Sequence, residues 1–172
     1  AQDTAMSLEV ISSEALSDAG VTQATDLSRI APGVQLTQGG TALQVFIRGA
    51  GDFTTTSYND AAVAQSYDGV FSARSQYVGA TFFDLERVEI LKGPQGTLYG
   101  RNATGGVMNI IPAQPQLGET SGYIVGQAQN YDGYLVEGAV NLPLGENAAI
   151  RASYQGAWRD GYVSDGTDDD KH

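Results

Sequence analysis

Phe82-Phe83-Asp84-Leu85-Glu86-Arg87-Val88-Glu89-Ile90-Leu91-Lys92-Gly93-Pro94-Gln95-Gly96-Thr97-Leu98-Tyr99-Gly100-Arg101-Asn102-Ala103-Thr104-Gly105-Gly106-Val107-Met108-Asn109-Ile110-Ile111 is the most informative stretch of the chain. It predicts a strand, a tight glycine-rich connection with a short helical turn, and a second strand. Gly93-Pro94 breaks the first strand, and Gly96, Gly100, Gly105 and Gly106 permit positive φ or close backbone approach. Gly100 and Gly105 have the spacing of a phosphate-binding loop. Gly106 and Val107, however, stand where that motif needs Lys and Ser or Thr, so the phosphate reading fails.

Upstream, short apolar runs alternate with helical and turn-like segments, the pattern of a small α+β domain. Leu8 to Ile11 predicts a strand, and Ser12 or Ser13 can cap a helix through Ala19 that Gly20 ends. A second helix is expected around Thr25 to Ile30, ending before Ala31-Pro32-Gly33 because the residue before a proline is pushed out of the helical region. Val34 to Leu36, Gln44 to Ile47, Val63 to Tyr67 and Val88 to Leu91 are further strands.

Downstream, residues 113–119 form a linker, after which the period changes to two. In Ala149 to Trp158, Ile150, Ala152, Tyr154, Gly156 and Trp158 share one face, opposite Arg151, Ser153, Gln155 and Ala157. Tyr134 to Leu142 repeats the pattern, and Tyr123 to Gln129 does so more weakly. Short turn-prone joints make these three strands an antiparallel meander. A soluble half-buried sheet and a membrane barrel both produce such alternation. Strand lengths near nine to eleven residues and Tyr or Trp near strand ends favour the membrane. Three strands cannot close a barrel, so that reading requires further strands.

Composition narrows the functions. Among 172 residues, nine Lys and Arg against 20 Asp and Glu give a net charge of -11, which opposes nucleic-acid binding. There is no Cys and one His, His172. Disulfides, thiolate metal sites and catalytic Ser-His-Asp or Cys-His sets therefore lack parts, and neither an enzyme nor a resident metal or cofactor is expected. No apolar run is long enough for a membrane-spanning helix, and the start lacks the features of a signal peptide. The acidic stretch Asp165 to Asp170 lacks the ligand order of an EF-hand and predicts a solvated loop.

The long motif closely resembles the plug domain of TonB-dependent outer-membrane receptors. Ala31-Pro32-Gly33-Val34, Val45-Phe46-Ile47-Arg48-Gly49 and Tyr67-Asp68-Gly69-Val70 match in the expected order, so the resemblance covers roughly residues 8 to 112. It implies a plug domain over residues 1–112. Residues 120–172 would then be the first three strands, and the start of an extracellular loop, of a transmembrane β-barrel of about 22 strands. The implied function is active import of a scarce nutrient across the bacterial outer membrane, with the plug gating the lumen.

A ferric siderophore heads the implied substrates, with oligosaccharide, cobalamin or haem as alternatives. The implied partners are the TonB-ExbB-ExbD complex, the remainder of the barrel and outer-membrane lipid. The TonB box would precede Ala1 or be degenerate here. Two stretches, Ala50 to Asp60 and Phe71 to Gly79, are expected as apical loops that meet ligand through Phe53, Tyr58, Asn59, Arg74, Gln76 and Tyr77. Arg48, Glu86 and Arg87 would lock the plug to the barrel wall. The competing class is a soluble binding or adhesion module in which the alternating strands complete a small sandwich.

Overall fold

A computed structural model describes residues 7–39, 42–52, 61–72, 82–96, 103–129 and 133–158. The chain divides into two units, Ala1–Ala113 and Gln114–His172. In the first, strand β1 (Ser7–Ser12) leads into helix α1 (Ser13–Asp18). The Ser12 hydroxyl accepts from the Ala15 N–H at 3.3 Å, a side-chain cap that fixes where the helix starts. The second helix is a 3-10 helix, Ala24–Arg29, rather than an α-helix. Asp26 reaches back to accept from the N–H groups of Thr22 and Gln23, at 3.1 and 3.2 Å, which fixes where this six-residue helix starts.

Next come β2 (Val34–Gly39), β3 (Ala42–Ile47), β4 (Ala50–Gly51), β5 (Val63–Tyr67), β6 (Val70–Ser72), β7 (Leu85–Lys92) and β8 (Gly106–Pro112). They form a five-stranded sheet of order β1-β7-β8-β5-β6 and a three-stranded sheet of order β2-β3-β4. Among the described residues, only the β5–β8 pair is parallel. Two stretches expected as loops begin as hairpin arms: Ala50–Gly51 is β4, and Phe71 and Ser72 belong to β6. The cause is turn chemistry. Arg48-Gly49 (φ 52° and 81°) and Asp68-Gly69 (φ 49° and 75°) are two-residue turns with positive φ at both positions, whose twist matches that of paired strands.

Alternation along β7 turns Val88 and Ile90 inward, where they join Leu27, Ile47, Met108 and Ile110 in one buried core. The glycine-rich connection is held at its feet. Gly93 N–H donates to Gly105 O at 3.2 Å, Gln95 N–H to Ala103 O at 2.8 Å, and Gly105 N–H to Ala62 O at 2.8 Å. Gly106 is required where β8 begins, because a Cβ there would lie 2.3 Å from Leu91 O and 2.8 Å from the Ile47 side chain.

The second unit holds β9 (Ser121–Gln129), β10 (Gly133–Pro143) and β11 (Ala149–Trp158) in the antiparallel order β11-β10-β9. Tyr134 pairs with Trp158 and Ala128, and Glu137 with Gln155 and Val125.

Candidate functional site

The outward face of β7 carries a polar row across three strands. Ser66 Oγ on β5 donates to Asn109 Oδ1 on β8 at 2.8 Å, and Asn109 Nδ2 donates to Glu89 Oε2 on β7 at 3.3 Å. Arg87 Nε donates to Glu89 Oε1 at 2.7 Å, and Arg87 also pairs with Glu86. A register irregularity between Leu85 and Arg87 brings the adjacent Glu86 and Arg87 together. The hydrogen bond to Glu89 is the main reason that the Arg87 guanidinium is held above its ordinary pKa, with the charges of Glu86 and Glu89 adding.

Of the residues expected to lock the plug, Glu86 and Arg87 are thus brought together, and each is engaged within its own strand. Arg48 lies apart, at the β3–β4 turn, and makes no ion pair among the described residues. Its φ of 52° costs a non-glycine residue about 1 kcal/mol. The sequence reading missed Glu89, Asn109 and Ser66 as a network. The available signal was Asn109, a polar side chain in the apolar run Gly106 to Ile111, because such a group needs a partner. Phe53, Tyr58, Asn59, Arg74, Gln76 and Tyr77 lie outside the described residues.

A second charged cluster faces the core. Lys92, 7% exposed, places Nζ 2.6 Å from Glu9 Oε2 on β1 and 2.6 Å from the Pro32 carbonyl. One ammonium therefore ties the first strand to the turn preceding β2. At the far end of the sheet from this cluster, Tyr67 has a raised pKa, first through burial and then through Asp68 and Asp84.

The meander has two unlike faces. One presents Ile124, Tyr134, Val140, Leu142, Ile150, Tyr154 and Trp158, all exposed, with Ile124 at 82%. The other holds Leu135, Ala139 and Asn141, which are buried, around Glu137. Tyr123 Oη donates to one Glu137 oxygen at 2.6 Å and Gln155 Nε2 to the other at 3.1 Å. By register Arg151 shares this polar face, opposite Asn141. The more apolar face is therefore the exposed one, the reverse of a water-facing sheet.

An outer-membrane receptor is the class to which this combination of small mixed-sheet domain and inverted meander points. The profile of the TonB-dependent receptor plug domain matches residues 1–107, and the chain belongs to that family. The pesticin receptor of Yersinia pestis is 38% identical over 129 residues, which are 75% of this chain and 19% of the relative. The catecholate siderophore receptor Fiu of Escherichia coli is 33% identical over 162 residues, 90% of this chain and 20% of the relative. The crystal structure of the ferric yersiniabactin uptake receptor FyuA from Yersinia pestis superposes with a TM-score of 0.77 at 32% identity, over 95% of this chain and 26% of that one. The chain thus spans about a fifth of the curated relatives it matches. These relatives are receptors of the Gram-negative outer membrane, and that is where this chain resides.

Proposed function

We propose that this chain is the plug and the opening barrel strands of a TonB-dependent active transporter that imports a ferric siderophore across the outer membrane. The inverted meander carries the reading, because it follows a plug in the chain and exposes its more apolar face, while Leu135, Ala139 and Asn141 at the centre of the other face are buried. Such a sheet suits a barrel wall between lipid and lumen, here extended by further strands to about 22. The names of the relatives support the substrate class: Fiu is a catecholate siderophore receptor and FyuA takes up ferric yersiniabactin.

On this reading residues 1–112 are the plug and residues 120–172 begin the barrel. Phe53, Tyr58, Asn59, Arg74, Gln76 and Tyr77 meet the ligand, and TonB-ExbB-ExbD supplies the energy. Arg48, Glu86 and Arg87 face the barrel wall. The backbone cost at Arg48 supports keeping its guanidinium for such a role, since Asn would make the same turn with less strain. Uptake of iron-loaded siderophores by intact cells, with and without membrane energisation, tests the proposal. Energy-dependent uptake of at least one ferric siderophore is expected, and its absence across a broad panel would overturn the reading.

A further inference from the structure

The connection between the two units is fastened by hydrogen bonds on each side. On the side of the first unit, Pro112 pairs with Leu85 in the β7–β8 ladder, and Ala113 N–H donates to Asp84 O at 2.8 Å. On the side of the second unit the fastening is a side chain. Asn141, on β10, is 0% exposed. Its Oδ1 accepts from the Gln116 N–H at 2.9 Å, and its Nδ2 donates to Gln116 O at 2.9 Å and to Glu119 O at 2.6 Å. Both amide hydrogens are used. Gly118, at φ 74°, turns the segment so that two of its carbonyls reach one nitrogen. Gln116 and Glu119 are thereby held on the second unit before β9 begins at Ser121.

This fastening sets a length. From Ala113 to Gln116 the chain takes three steps, which span about 10 Å at full stretch. From Ala113 to Ser121, where the strand itself begins, it takes eight, about 28 Å. The apolar band of an outer-membrane barrel is about 25 Å tall, so the two lengths fall on either side of it. A tether of the longer length lets the end of the first unit travel the thickness of the membrane; the shorter one does not. The difference is the same whichever strand of the sheet receives the segment, because only the point of attachment along the chain enters it. Gln114 and Pro115 lie between the fastenings, and the proline ring fixes one of the torsions there.

We propose that Asn141 is a positioning residue that shortens the tether between plug and barrel to a joint at Gln114 and Pro115. The end of the plug at Ala113 then stays within about 10 Å of Gln116 in every state of the gate. The lumen opens by the plug turning or rearranging about that joint, and not by its withdrawal along the barrel. The proposal rests on the gated-transport reading. It is tested in the full-length receptor in intact cells, with and without membrane energisation. Ala113→Cys and Ala148→Cys, introduced into a stretch that has no cysteine of its own, carry spin labels whose distance distribution is recorded. Residue-resolved hydrogen exchange in lipid vesicles reads the fastening itself.

In the unaltered receptor the distances should spread over no more than about 20 Å, twice the reach of the joint, energised or not. Asn141→Leu keeps the branched shape and removes all three bonds. For it we expect exchange at the Gln116 amide to rise at least about tenfold while Val140 and Ala152 stay protected, and the energised distribution to broaden at least about 1.5-fold. A wider spread in the unaltered receptor would overturn the proposal. So would an Asn141→Leu distribution no broader than the unaltered one, or loss of β10–β11 protection together with that of Gln116. Should Asn141→Leu fail to insert, two glycines added between Gln114 and Pro115 lengthen the joint by about 7 Å without touching either fastening. The energised distribution should then broaden too, and no broadening would count as the same refutation. Absence of energised uptake by the unaltered receptor would count against the transport reading, whereas exchange at Gln116 reports the fastening whether or not transport occurs.

Discussion

The two units solve the same problem of apolar surface in opposite ways. In the first, Leu27, Ile47, Val88, Ile90 and Ile110 are all fully buried, and the buried charge of Lys92 is met by Glu9 and a carbonyl. In the second, the apolar side chains of one face are exposed, Tyr154 by 60% and Trp158 by 53%, while the hydrogen-bonded Glu137 and Asn141 lie on the opposite, more buried face. The difference teaches that strict alternation marks a two-faced sheet without saying which face meets protein. In water the exposed face would be costly; in hydrocarbon it is the favourable one.

The most direct way to break this comparison uses the chain's single tryptophan. Trp158 should move to blue-shifted emission in lipid vesicles and lose about half or more of that emission to brominated lipids, as an interfacial aromatic does. Emission that stays red-shifted and accessible to aqueous iodide would favour the soluble module.

Core truncation sharpens the contrast. Ile110→Ala leaves a cavity and should cost about 2–5 kcal/mol in the unfolding of the first unit. Ile124→Ala in the meander should cost less than about 1 kcal/mol in vesicles, because lipid fills the space. Equal costs in denaturant titrations of the two variants would remove the distinction between the units.

Lys92→Met should destabilise the first unit by about 3 kcal/mol, because it strands a partly buried carboxylate on β1. Restoring neutrality with Glu9→Gln in the same chain should recover much of that loss. A double-mutant cycle measures the coupling, and additive losses would show that the pair is not a unit.

The smallest effect is alkaline. Tyr67 ionises less readily folded than unfolded, so the folded state holds more protons above pH 10.0, and stability falls as pH rises beyond that value. Tyr67→Phe should flatten that part of the stability-pH curve and leave it unchanged near neutrality.

Much of this fold was legible because its signals are local. Ser12 capped the first helix, Gly20 followed its end, and the period-two face of Ala149 to Trp158 became β11 with the expected pairing. The 3-10 helix at Ala24–Arg29 was not legible as such, since it depends on Asp26 reaching back to two backbone amides. The polar row on β7 was visible only in part. Glu86 and Arg87 stood out as charges, but Glu89, Asn109 and Ser66 join them through pairing of β7 with β8 and of β8 with β5.

By itself the sequence determined the family, through the ordered motifs between Leu8 and Ile111, and the two-faced character of the three later strands. Both follow from residue order along the chain, which fixes turn chemistry and side-chain period. Only the tertiary structure decided that Arg87 is engaged by Glu86 and Glu89, that Lys92 ties β1 to Pro32, and that Asn141 holds the connection at Gln116 and Glu119. Each of these joins groups through strand register or a bulge, and periodicity does not specify which residues a folded chain brings within hydrogen-bonding distance.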